Sequence, residues 1–148
     1  MSLTAEKIRK LIKDESDLNI LLEHTLQSGD PLIESAIEMA VSDFNALPPI
    51  GTNYSAANIP SISILFHGVL YYLMNSEAQR QLRNQVTYTA QGLSAPLDDK
   101  FQQYLHLAQF YKQLFESHAS RLKQAINMSN AWGHISSPYV NINENEYS

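Results

Sequence analysis

Cysteine is absent from the 148 residues, which removes disulfide staples, thiol nucleophiles and thiolate metal sites together. That absence fits a reducing compartment and equally fits a particle that leaves the cell. Glycine is sparse: the five residues are scattered singly, so no glycine-rich loop is present to cradle a phosphate. Charged residues make up only 17%, and their balance is acidic, with a net −5 and a pI near 5.4. A general nucleic-acid binder would carry a basic footprint instead. Long apolar runs are missing as well. The most apolar stretch, Ile62 to Met74, contains His67 and Gly68 and is too short to span a bilayer. Met1 to Lys7 lacks the basic-then-apolar order of a signal peptide. A soluble chain with no membrane partner is expected.

What the chain does have is ordinary globular material, 44% apolar, at a length typical of one domain. A domain of this size buries roughly 68–70% of the surface its unfolded chain exposes, so it requires neither a disulfide nor a metal. Much of the polar surface is Asn, Gln and Ser. Uncharged amides lose less than ionised groups when a neighbour covers them, which is a mild sign of a surface buried in an assembly.

Periodicity predicts an all-α, single-domain bundle of five or six helices. Thr4 caps a first helix to about Lys13, with Ile8, Leu11 and Ile12 on one face. Leu18, Leu21, Leu22 and Leu26 recur at helical spacing until Gly29, which predicts a short second helix. Asp30 as cap and Pro31 at the first helical position open a third. Its stripe is Ile33, Ala36, Ile37, Ala40, Val41 and Phe44, and Leu47-Pro48-Pro49 ends it. Residues 50–60 read as loop. Ser61 to about Val86 is apolar almost all round at first, as suits a central helix. The pattern leaves open whether it is one helix or two broken near Asn75-Ser76. Residues 86–96 read as a loop or small β-hairpin around Gly92. Asp98 or Asp99 then caps the longest helix, to about Met128. Its main stripe is Phe101, Tyr104, Ala108, Tyr111, Phe115, Leu122 and Ile126, widened by Leu107, Phe110 and Leu114. A bundle domain over 1–133 and an extended tail over 134–148 complete the expected organisation, the tail being disordered or docked on a partner.

Signals for catalysis are weak. Of His24, His67, His106, His118 and His134, none stands in an HExxH pattern or at the i, i+3 carboxylate spacing of di-iron bundles. Glu116 and His118 are two apart and so diverge on a helix, as do the adjacent Glu23 and His24. Packing or surface roles suit all five histidines better than ligation. No serine sits in a GxSxG elbow, and Asp98-Asp99 precedes an apolar run, where capping is the better account. No enzyme, cofactor or metal site is expected. Arg80, Arg83 and Lys100 form a small basic patch beside Tyr88, for which a solvated helix face is the simpler reading. The tyrosines of the long helix suit a core, although tyrosine is also common at interfaces.

The order of several local features resembles a known group. Asp17-Leu18-Asn19 opens the second segment, and Phe44-Asn45 with Pro48-Pro49 closes the third. Arg83-Asn84-Gln85 with Tyr88 precedes a glycine turn, Asp99-Lys100 with Tyr104 opens the long helix, and Asn127, Gly133 and Ser137-Pro138-Tyr139 finish the pattern. From Asp17 to Tyr139 the chain resembles tailed-bacteriophage virion proteins of the neck, or head-to-tail connector (adaptor), type. The resemblance implies a virion structural subunit, made in the host cytoplasm, that sits in a homo-oligomeric ring, often of twelve copies. Its partners would be the portal protein and other neck or tail proteins. DNA would pass through the ring without sequence-specific binding, and an acidic lining would suit that passage. Tail completion, collar, baseplate or fibre attachment are the neighbouring roles, and a non-viral helical interaction module is the reading outside the virion. Arg80, Arg83, Asn84 and Tyr88, with Trp132, Pro138 and Tyr139 toward the tail, are the expected contact residues.

Overall fold

The computed structural model describes residues 3–20, 23–83, 87–90, 93–96 and 100–132, with 87–90 and 93–96 described by their backbone alone. Among these residues helix dominates, in four elements: α1 (Ala5–Ile12), α2 (Asp30–Ala46), α3 (Ile62–Arg83) and α4 (Phe101–Trp132). Between α3 and α4 the backbone of β1 (Thr87–Ala90) pairs antiparallel with β2 (Leu93–Pro96), Tyr88 lying opposite Ala95. The expected tail, 134–148, and the Asp98-Asp99 cap lie outside the described residues.

Each helix begins for a local reason. The Thr4 side chain accepts the Lys7 N–H at 3.4 Å and caps α1. At α2 Gly29 takes the cap position and Asp30 is already helical, one residue earlier than expected. The Asp30 carboxylate is engaged elsewhere, by the Arg9 guanidinium. At α3 the Ser61 hydroxyl accepts the Ile64 N–H at 3.4 Å. The helix then runs unbroken past Asn75-Ser76, so the open question there resolves to a single element.

The core lies where α3 is covered on two sides. Ile33, Ala36, Ile37, Ala40 and Phe44 of α2 meet Leu65, Val69 and Leu73 of α3, and Phe115 and Ala119 of α4 close the far side. Ile8 is the buried anchor of α1, whose Leu11 faces solvent. Fully burying one such side chain contributes about 1.5–3 kcal/mol. The two flanking helices approach closely at Gly68. A Cβ built there would lie 2.9 Å from the Ala40 Cβ and 3.0 Å from the Phe115 ring.

Among the described residues the predicted second helix, over Leu18 to Leu26, does not form (Leu21 and Leu22 lie outside them), which leaves four helices where five or six were expected. Leucine spacing alone suggested it, but Leu18 and Leu26 are exposed. Glu23 and His24 adopt positive φ, a left-handed conformation that ends a right-handed helix. Asp14 decides the competition. It is 3% exposed, and its carboxylate accepts the backbone N–H of Gln27 at 2.7 Å and of Ser28 at 2.9 Å, plus the Asn19 amide at 2.7 Å. Those bonds satisfy donors from outside and wrap the segment as a loop. A similar device pins the loop after α2. The Asn45 side chain accepts from the Tyr54 N–H at 2.8 Å and donates to the Tyr54 carbonyl at 2.9 Å, and the Tyr54 ring packs edge-on against Phe44.

Candidate protein-interaction surface

α4 presents two different stripes. Toward α3 and α2 it buries Ala108, Phe115, Ala119 and Lys123, with Tyr104, Tyr111, Leu122 and Ile126 half-buried beside them. About a third of a turn around the helix runs a second row: Leu107, Phe110, Leu114, Arg121, Ala125, Met128 and Trp132, spaced by three, four and seven. Leu107 is 43% exposed, Phe110 54%, Met128 62% and Trp132 70%. The expectation that Leu107 and Phe110 widen the core stripe is therefore corrected: they face outward. The cause is geometric. α3 supplies one neighbouring helix, and one neighbour covers only one side of a cylinder about 10 Å across.

The seam between α3 and α4 also holds His67. Its ring lies 6.2 Å from Tyr111 at an interplanar angle of 19° and 6.0 Å from His118. Burial, then the neighbouring His118, lowers its pKa, so the imidazole is neutral near pH 7. The His24 Nδ1 is 3.0 Å from the Ser16 carbonyl. Among the described residues no group of three or more His, Asp or Glu is placed to hold a metal ion. No described helix is long and apolar enough to cross a membrane.

Arg80 occupies a second region. Its guanidinium clasps the Glu77 carboxylate, with Nε at 3.0 Å from Oε2 and Nη2 at 2.8 Å from Oε1, and the Gln81 amide adds a bond of 2.7 Å. Glu77 is 8% exposed. Burial alone would raise its pKa, but the bonds from Arg80, Gln81 and Gln27 outweigh it and hold the carboxyl below the usual range. This clasp floors a groove of about 430 Å³, with Leu18, Ile20 and Gln27 on one wall and Tyr104 and Lys100 on the other. Leu18 and Ile20 are 55% and 72% exposed.

Of the expected contact residues, Arg80, Arg83 and Trp132 are described with their side chains, and these three do not line one groove. Arg80 lies in the groove, and Arg83 is the exposed last residue of α3 without joining the lining. Of the basic patch, Arg80 and Lys100 share one site. Asn84, Pro138 and Tyr139 lie outside the described residues, and Tyr88 is described only by its backbone in β1. Trp132 ends α4, roughly 42 Å along the helix from Tyr104 at 1.5 Å per residue. The stripe of Leu107 and Phe110 is the feature the sequence reading missed. Its 3–4 spacing was visible, but a wide apolar face in sequence does not say which side a neighbour covers.

No family model, no curated protein and no solved structure matches the chain.

Proposed function

We propose that the chain is a non-catalytic structural adaptor subunit of a tailed-phage neck, assembling as a ring that joins the portal and head to the tail. Two things support the reading: the sequence resemblance, and the second apolar stripe of α4. Of the two, the stripe is the observation that carries an assembly role. Large apolar side chains exposed near both ends of a 32-residue helix, Leu107 and Phe110 toward its start and Met128 and Trp132 at its end, are unfavourable in water at about 25 cal/mol per Å² and are relieved by a partner.

Charge favours a head-to-tail arrangement of copies. α2 carries Asp30, Glu34, Glu38 and Asp43 and no basic residue, while Arg121 is the only full charge within the α4 stripe. A neighbour's α2 against this α4 is a heterologous contact, the kind that closes into rings.

Labelled electron microscopy on particles of the encoding phage tests the proposal. Label between capsid and tail is the expected result. Label at the distal tail, collar or fibres would move the subunit elsewhere in the virion. No label on any particle would leave a helical interaction module outside the virion as the reading of the same stripe.

A further inference from the structure

A second groove, of about 340 Å³, opens at the C-terminal end of α2, among Asp43, Leu47, Tyr71, Tyr72, Lys112 and Glu116. Two observations give it one chemical character. Two carboxylates face a single ammonium there. In addition, the rings of Tyr71 and Tyr72 lie 4.7 Å apart at 52°, and such faces attract cations.

The molecule already places cations at this helix end. On one side Lys123 is buried and bonded to the carbonyls of Phe44, Asn45 and Leu47. On the groove side Lys112 is loose. Its Nζ is 5.6 Å from the Tyr71 ring centroid and 3.9 Å from Glu116 Oε1, beyond hydrogen-bonding distance, and its side chain is 49% exposed. Asp43, by contrast, is fixed. The Tyr72 hydroxyl donates to its Oδ2 at 2.6 Å, and among the described residues that is its only side-chain hydrogen bond.

We propose that this groove binds an organic cation, a guanidinium or alkylammonium group, with Asp43 and Glu116 as its counter-charges, the Tyr71 ring as its stacking face and Lys112 as the internal side chain it displaces. The group arrives either as a basic side chain presented by a protein or as a free small cation. Burial and the Asp43 carboxylate raise the pKa of Tyr72 well above that of an ordinary phenol, so Tyr72 remains a donor to Asp43. The inference stands apart from the assembly reading, since it rests on neither the resemblance nor the α4 stripe.

The test follows the Tyr71 and Tyr72 ring resonances by NMR while the purified protein is titrated with N-acetyl-argininamide, its neutral citrulline counterpart and tetramethylammonium. Saturable shifts with the arginine probe and none with citrulline are expected. Asp43→Asn, which keeps an acceptor for Tyr72, should weaken binding roughly tenfold, the scale of one charge-assisted bond. Lys112→Gln should tighten it by removing the internal competitor. Preference for the arginine probe supports a side-chain source, and equal binding of tetramethylammonium supports a free cation. Should Asp43→Asn melt early, Glu116→Gln at the exposed rim reads the same loss. Shifts that never saturate, that citrulline reproduces, or that ignore both the Lys112 and the carboxylate changes would overturn the proposal.

Discussion

Replacing Gly68 by valine is expected to destabilise the fold by about 3 kcal/mol or more, lowering the thermal midpoint by roughly 10 °C. Two opposing effects set the size. Any side chain gains about 1 kcal/mol or less of helix propensity over glycine. Against that, even a single Cβ would stand 2.9 Å from the Ala40 Cβ and 3.0 Å from two Phe115 ring carbons. The Phe115 ring can rotate or shift. The Ala40 Cβ cannot, because it is bonded directly to the α2 backbone, so α2 and α3 must move apart. Gly68→Ala should therefore still lose stability, by about 1–2 kcal/mol. Ala40→Gly, harmful alone through propensity, should partly rescue Gly68→Ala, with a coupling of about 1 kcal/mol in a double-mutant cycle. Additive losses in urea titration would mean that the three helices do not meet at this point.

Lys123→Met should cost about 2–4 kcal/mol, a large loss for a substitution that keeps length and removes a charge from the interior. Ordinarily a buried lysine is a liability, and here burial does lower its pKa. The offset comes from its partners. At 2% exposure, Nζ donates to the carbonyls of Phe44 at 3.0 Å and Asn45 at 3.2 Å and to that of Leu47, and it sits 5.5 Å over the Phe44 ring. Bonds from a charged donor contribute about 1.5–3 kcal/mol each when deleted singly, and a cation at a helix C-terminus adds up to about 2 kcal/mol. They are not additive. Methionine would leave the end of α2 with three carbonyls lacking their donor. The pH dependence has a definite sign. A lowered pKa means the folded chain holds this proton less tightly than the unfolded chain, so the stability linked to Lys123 rises as pH climbs toward 10.5. Chemical denaturation of the wild type and Lys123→Met checks both; equal midpoints would show that the α2 end is held by other means.

These two residues mark what the sequence conceals. α2 was legible because Pro31 and a stripe of small and branched residues agree on one face, and α3 because its early turns are apolar all round. Gly68 appears in sequence only as an interruption of an apolar run, since its meaning depends on two helices distant along the chain. Lys123 looks like a surface residue between Leu122 and Ile126; its burial follows from carbonyls at 44–47. The loop at 16–28 misleads for the opposite reason. Its leucines have helical spacing, but the Asp14 carboxylate captures backbone donors thirteen and fourteen residues away, a competition that periodicity does not register. At the candidate surface, Arg80 stands out in the sequence as part of a basic patch, whereas its i, i+3 partner Glu77 carries no sequence sign of burial. The structure buries that carboxylate beneath the guanidinium.

The central claim is that the outer face of α4 is an assembly surface, and a paired substitution tests it most directly. Leu107 and Phe110 are exposed, so Leu107→Glu/Phe110→Glu should leave circular dichroism and the thermal midpoint close to wild type. Incorporation of the double variant into particles, measured against wild type by quantitative blotting of purified virions, should fall to background. A stably folded variant incorporated at the wild-type level would contradict the account, because the stripe would then be surface that no partner covers.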